Sequence, residues 1–317
     1  MGTKISTVSH SLPFFRFSPE NSISLASKAS KRCLEKAAMD LSDIGLIIST
    51  GVYRYRNTGE PSIASLVQKR IMRSLQTRLK NGGTKTDARS TFSFDLNQGA
   101  CGWLAGIQII DGFIQTGDIS HGLVCTGDSE PFRGSSVGYR FDSAAAAIIL
   151  SGSETPGGFS DFITYYYPGH GEEFISSTHF GKVKGKIGKR NILYIEQKGS
   201  YLQSCIECAS ESLKKYINET ALTINDIDLL ISSQSPDGLI SGLRERTGLG
   251  QKIVEVPNNR KKEFHTAGPS FALKKSWDDN SFRSSHNILF LTVGSGITVS
   301  LALYKNSAAD GKGRTNQ

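Results

Sequence analysis

One pattern that occurs twice constrains this chain more than any other feature. The helix-like segment SISLASKASKRCLEKAAMDL precedes the apolar run SDIGLIIST at 42–50, and the helix-like LQSCIECASESLKKYINETALT precedes NDIDLLISS at 225–233. Apolar residues three and four apart predict amphipathic helices, and runs apolar on every residue predict strands covered on both faces. The parallel continues downstream: GLVCTGDS at 122–129 is matched by ILFLTVGSG at 288–296, and AAAAIILS at 144–151 by ITVSLALY at 297–304. A helix-strand unit followed by two apolar strands, twice in one order, predicts a duplicated α/β architecture. One half spans 1–155 and the other 156–317.

A chain of 317 residues can bury roughly three quarters of its unfolded surface, which excludes a disordered tail or a disulfide-stapled miniprotein. The net charge of +8 favours an anionic partner. Nucleic acid fits poorly, because the charge is spread and no helix-turn-helix, zinc finger or aromatic RNA-binding motif is legible. Cys205 and Cys208 form a CxxC inside helically spaced sequence, so they read as incidental thiols among five cysteines, and no metal or tightly bound cofactor is expected. The first residues lack the apolar core of a signal peptide, and no run approaches the ~20 residues of a membrane span. The expectation is a cytoplasmic protein with no membrane segment. The basic, Gly-rich tracts at 72–91 and 179–190 predict exposed loops, the former with room for a short helix, and 306–317 a frayed tail.

The segment from 92 to 130, FSFDLNQGACGWLAGIQIIDGFIQTGDISHGLVCTGDSE, reads as strand, tight turn, long helix from about Gly102 and strand. A turn that sets a side chain at a helix N-terminus beneath a strand end is how an α/β protein builds a nucleophile site. The helix dipole and free N–H groups stabilise a thiolate or a developing oxyanion there.

These residues resemble the active-site region of β-ketoacyl-acyl-carrier-protein synthase III, of the thiolase superfamily, with its Asp-x-x-x-x-Cys-x-Gly-aromatic pattern and a helix ending Asp-x-Phe-Ile-x-x-Gly. Further matches are Pro61-Ser62 with Gln68, Phe141-Asp142-Ser143-Ala144, Asp226-Ile227-Asp228 and Gly294-Ser295-Gly296-Ile297-Thr298. The resemblance implies a thiolase fold, five αβαβα layers with duplicated halves, and an acyltransferase or condensing activity in fatty-acid or polyketide-like specialised metabolism.

Carried over by position, the resemblance places Ala100 where the family has its nucleophile, with Cys101 one residue later. Three readings stay open: a local register slip that makes Cys101 the nucleophile, a cysteine replaced by alanine to trap substrate, or a nucleophile-less homologue that supports an active partner. Ser233 takes the position of the family's strand-end His, beside a matching Gln234, and His265 takes that of its Asn. Serine can donate a hydrogen bond but cannot be a base near neutral pH. Losing one of two enolate-stabilising donors weakens decarboxylative condensation, whereas acyl transfer needs only one base. Gly296 falls where the family's oxyanion hole has a backbone N–H, with the N–H of residue 100 as the second donor.

The family's Trp- and Arg-bearing segment that clamps coenzyme A is not matched, since SLPFFRFSPENS leads straight into the first helix. A thioester on an acyl carrier protein therefore becomes more attractive as substrate than acyl-coenzyme A. Arg244, Arg246 and Arg260 are candidates to dock its acidic helix and phosphopantetheine. The resemblance also implies a homodimer, or a heterodimer with a paralogue if the chain is a non-catalytic subunit.

Overall fold

The computed structural model describes residues 2–14, 20–79, 91–129, 135–137, 142–183, 186–257 and 263–307. The first half runs β1 (Gly2–Ser11), α1 (Ser22–Ala37), β2 (Leu46–Ser49), α2 (Ile63–Leu79), β3 (Phe92–Asp95), α3 (Gly102–Gln115), β4 (His121–Asp128), β5 (Ser135–Val137) and β6 (Ala144–Ser153). The second runs β7 (Gly158–Tyr166), β8 (Phe174–Val183), β9 (Lys186–Gln197), α4 (Tyr201–Glu219), β10 (Leu229–Ser232), α5 (Leu239–Thr247), α6 (Gly268–Asp278), α7 (Ser281–Ser284), β11 (Asn287–Gly294) and β12 (Thr298–Lys305).

The duplication expected from the sequence is present in the sheets. The first has strand order β1-β6-β4-β2-β3, and the second β7-β12-β11-β10. In both, two parallel neighbours adjoin two antiparallel ones: β2 is parallel to β4 as β10 is to β11, and β4 is antiparallel to β6 as β11 is to β12. Where the first sheet ends in β3, the second has only a single parallel bridge, Leu230 to Ile253.

Period-two alternation sorts each strand's residues into two cores. Ile48, Val124 and Ile148 face inward with Ile231 and Phe290, and the apolar stripe of α3 (Trp103, Leu104, Ile107, Ile110) fills the space between the sheets together with Ala272 and Leu273 of α6. Ile47, Leu123 and Ile149 face outward to α1 and α2. Leu230, Leu289 and Leu301 face α4 and α5. The resulting layers, helix pair, sheet, helix pair, sheet, helix pair, are the αβαβα arrangement that the resemblance implies. Burial of a single core side chain such as Ile107 contributes about 1.5–3 kcal/mol.

Two expectations for the connecting tracts need correction. Residues 72–79 continue α2 rather than leaving it, and 80–90 lie outside the described residues. In the tract 179–190, the described residues are not loop: 179–183 end β8 and 186–190 begin β9, which pair antiparallel, and β5 adds in parallel to β9. Lys and Gly are poor strand formers, so cross-strand pairing overrides local preference here. The CxxC falls within α4 as expected, and all five cysteines are buried free thiols. Among the described residues, no helix is long and apolar enough to cross a membrane.

Candidate active site

The site is built where the starts of the two central helices meet the ends of β4, β10 and β11. Asp95, at the end of β3, accepts the Ile63 and Ala64 N–H groups at 2.8 Å each and pairs with Arg54 at 3.0 Å. These bonds satisfy two of the orphan donors of α2 and fix the point from which the 96–101 turn departs. The turn then carries Ala100 to the last position before Cys101 and the start of α3.

Across from it, the Gly294-Ser295-Gly296-Ile297 turn links β11 to β12. A Cβ at Gly294 would stand 3.2 Å from the Cys101 sulfur and 3.5 Å from its nitrogen, so glycine permits this close approach of the two turns. Gly296 has φ of +102°, a conformation that favours glycine.

Between these turns lies a narrow cleft of about 20 Å³. Ala100, Ser235 and His265 line it with the aromatic walls Phe174 and Tyr201, and Gln197, Glu263 and Ser295 complete it. Phe174 opens β8 and Gln197 closes β9, so the three-stranded sheet contributes to the walls of the cleft.

His265 is held on three sides. Its ring centroid is 4.7 Å from that of Tyr53 and 6.1 Å from that of Phe174. Its Nδ1 is 3.8 Å from Asp128 Oδ2. Burial lowers the pKa of His265, against the opposing pull of Asp128 and Glu263, so the neutral imidazole predominates near pH 7. Asp128 is itself bound from both halves. Its Oδ1 accepts the Val52 and Tyr53 N–H groups at 2.9 and 2.8 Å, and its Oδ2 accepts the Thr266 N–H at 3.0 Å and the Thr266 hydroxyl. The Thr266 hydroxyl also bonds Thr126. Burial pushes the Tyr201 phenol well above its ordinary pKa, so it stays protonated.

Of the residues picked out from sequence, Ala100 and His265 therefore meet at one cleft, and Gly296 sits one residue beyond its lining. Others are placed elsewhere. The Cys101 thiol points into the second sheet, donating to the Thr298 carbonyl at 3.2 Å and the Thr292 carbonyl at 3.5 Å. It is fully buried and burial raises its pKa, which removes the register-slip reading: a nucleophile must be reachable as a thiolate. Ser233 is also fully buried, and its hydroxyl accepts the Val293 N–H at 3.0 Å, so it ties β10 to β11 instead of facing substrate. Gln234 is structural as well, bonding Ser232 O, Val254 O and Val256 N–H.

Arg244 is likewise committed to the fold. Its guanidinium donates to Gly250 O at 3.3 Å and Ile253 O at 3.1 Å and pairs with Glu255, holding the segment that bridges to β10. Arg246 remains at the surface, 3.4 Å from Glu207. Arg260 lies outside the described residues.

Asp128, Phe174, Tyr201 and Ser235 were not read from sequence as site residues. For Asp128 a signal existed: an acid that ends an otherwise apolar strand, in Gly127-Asp128-Ser129, needs buried donors. For Phe174 and Tyr201 none did, since both reach the cleft from the inserted sheet and its following helix.

The comparisons bear on the fold. No protein-family model matches the chain. Among curated proteins, it is 25% identical over 306 residues to the β-ketoacyl-[acyl-carrier-protein] synthase III of Coxiella burnetii, covering 91% of this chain and 85% of that protein. It is 24% identical over 296 residues to that of Clostridium perfringens, covering 90% and 85%. Among solved structures, 3-oxoacyl-[acyl-carrier-protein] synthase III from Aquifex aeolicus superposes with a TM-score of 0.74 at 19% identity, over 96% of this chain and all of that one. A variant of OleA from Xanthomonas campestris gives a TM-score of 0.74 at 15% identity, over 96% and 98%.

Proposed function

Taking this chain as a synthase III-like protein of the thiolase superfamily, we propose that it moves an acyl group from a thioester on an acyl carrier protein or coenzyme A to an acceptor, in fatty-acid or polyketide-like specialised metabolism. The observation that carries the reading is one cleft that joins the start of α3 at Ala100 to a neutral His265 backed by Asp128. The thioester carbonyl would lie against the N–H groups of residues 100 and 296, backbone donors that do not depend on the side chain at 100. The phosphopantetheine arm would approach past Ser295 and Gln197, with Arg246 as the surface cation for its phosphate or for an acidic carrier helix. Five buried reduced thiols fit a cytoplasmic setting.

Incubation with hexanoyl-pantetheine, followed by thiol release and product mass, tests this reading. Acceptor-dependent release supports it, and a protein that neither binds nor consumes the thioester contradicts it.

The alanine at position 100 favours a second reading: a subunit that pairs with a thiol-bearing paralogue and turns over only in that complex. A native mass showing only a homodimer, active alone, removes it. A heterodimer whose activity resides in the partner supports it.

A further inference from the structure

The cleft is furnished for acyl transfer without an acyl-enzyme. Ala100 offers no nucleophile, and the sulfur next to it is fully buried and turned to the carbonyls of Thr292 and Thr298. What the cleft does hold is a base with support. The Nδ1 of His265 lies 3.8 Å from Asp128 Oδ2, close enough to feel the carboxylate's charge but without a hydrogen bond among the described residues, and the residue lines the cavity. Asp128 is anchored by backbone donors from the 52–53 loop and from Thr266, so its carboxylate cannot swing away from the imidazole. The Ser235 side chain, 9% exposed, lines the same cleft, and its hydroxyl has no hydrogen-bond partner among the described residues. A buried hydroxyl left unpaired costs free energy until something bonds it.

Resting on the acyl-transfer reading above, we propose that His265 acts as general base in a one-step transfer to a protic acceptor, a small alcohol or amine, with Asp128 as its positioning residue and Ser235 bonding the acceptor. In that step the His265 Nε2 lone pair takes the O–H or N–H proton while the acceptor atom bonds the thioester carbonyl carbon. The carbonyl π pair moves to oxygen, facing the N–H groups of residues 100 and 296. Collapse re-forms the carbonyl and breaks the C–S bond, and the departing thiolate takes the proton back from the imidazolium. Thioester and alcohol or amine thus become ester or amide and free thiol, with no oxidant and no further reactant. Carbon acceptors fit less well. Forming an enolate by loss of carbon dioxide calls for paired donors at the site, and Ser233, at the position of the second donor, has its hydroxyl engaged with Val293 inside the sheet.

The test uses the full chain with hexanoyl-pantetheine and three kinds of acceptor: glycerol, ethanolamine and malonyl-pantetheine. The expected result is thiol release that depends on glycerol or ethanolamine, ester or amide of matching mass, intersecting two-substrate kinetics and no acyl adduct on the protein. His265→Gln should lower kcat about 100-fold or more. Asp128→Asn should lower kcat more than it raises KM and move the pH profile, which a merely structural role does not require. An acyl adduct with parallel kinetics, a β-ketoacyl product from malonyl-pantetheine, or no ester or amide while the thioester is bound would each overturn the proposal. Failure to bind hexanoyl-pantetheine at all overturns instead the acyl-transfer reading beneath it.

Discussion

The starts of α3 and α6 occupy equivalent places in the two halves. Each helix is packed between the sheets, and the turn before each, at Ala100 and at His265, lines the same cleft. Yet the first half supplies an apolar methyl at Ala100 and a buried thiol behind it, whereas the second supplies His265 and Ser235, which line the cleft, and Glu263 beside them. On the proposed reading, the first half presents the turn and the helix start where the resemblance puts a nucleophile, with a methyl group in place of a reactive atom. Backbone electrostatics and side-chain chemistry are separable parts of such a site: the N–H groups belong to the fold, and the reactive atoms belong to single positions.

The most direct way to break this contrast is to restore the missing atom. Ala100→Cys should convert a protein that carries no acyl adduct into one that acquires the mass of one hexanoyl group on incubation with hexanoyl-pantetheine. An unmodified variant would show that the α3 start does not present its side chain to a thioester. Next in size is Asp128→Ala, which strands the Val52, Tyr53 and Thr266 donors from both halves. It should cost about 3 kcal/mol by denaturant titration. A loss below about 1 kcal/mol would mean the halves are joined here without it.

Cys101→Ala should cost about 1 kcal/mol through lost packing and leave thioester turnover unchanged. A loss of activity without unfolding would return the thiol to the site. Smaller again is the contrast between two arginines on α5. Arg244→Ala should lower stability by about 1–2 kcal/mol because two carbonyls and Glu255 lose their donor. Arg246→Ala should change it by less than about 0.5 kcal/mol, its effect appearing instead in KM for a carrier-bound substrate.

The pH dependence follows from His265, whose pKa is lowered by burial from the ordinary 6.5. Between its folded value and that ordinary one, the unfolded chain binds the proton that the folded chain refuses. Its contribution to stability is therefore full above the ordinary histidine pKa and is lost as pH falls through that window toward the folded pKa. Replacing His265 by Gln should flatten the acid side of a stability profile, and an unchanged slope would assign it to other groups.

The layers were legible from sequence because their central strands are buried on both faces. No choice between an inner and an outer face has to be made when every residue of Leu46–Ser49 or Leu229–Ser232 is buried, and an amphipathic helix precedes each strand. The hairpin of β8 and β9 was not legible, because Lys182, Lys186 and Gly188 carry no strand signal and their pairing comes from across the sheet. Within the site, position 100 and His265 were singled out by the family resemblance, and both line the cleft. The direction of a side chain after a strand end was not legible: Ser233 is drawn into the sheet by the Val293 N–H, and Ser235, two residues on, lines the cleft. Which of two nearby serines lines the cleft depends on a backbone donor about sixty residues away.

The central claim is that His265, in the second half, performs acyl transfer as a general base without a nucleophile at position 100. Thiol release from hexanoyl-pantetheine in the presence of glycerol or ethanolamine, compared between the chain and His265→Gln, measures it directly. The account predicts acceptor-dependent release with an unmodified protein mass, lost in His265→Gln. Release that persists in His265→Gln, or that proceeds through an acylated protein, would contradict it.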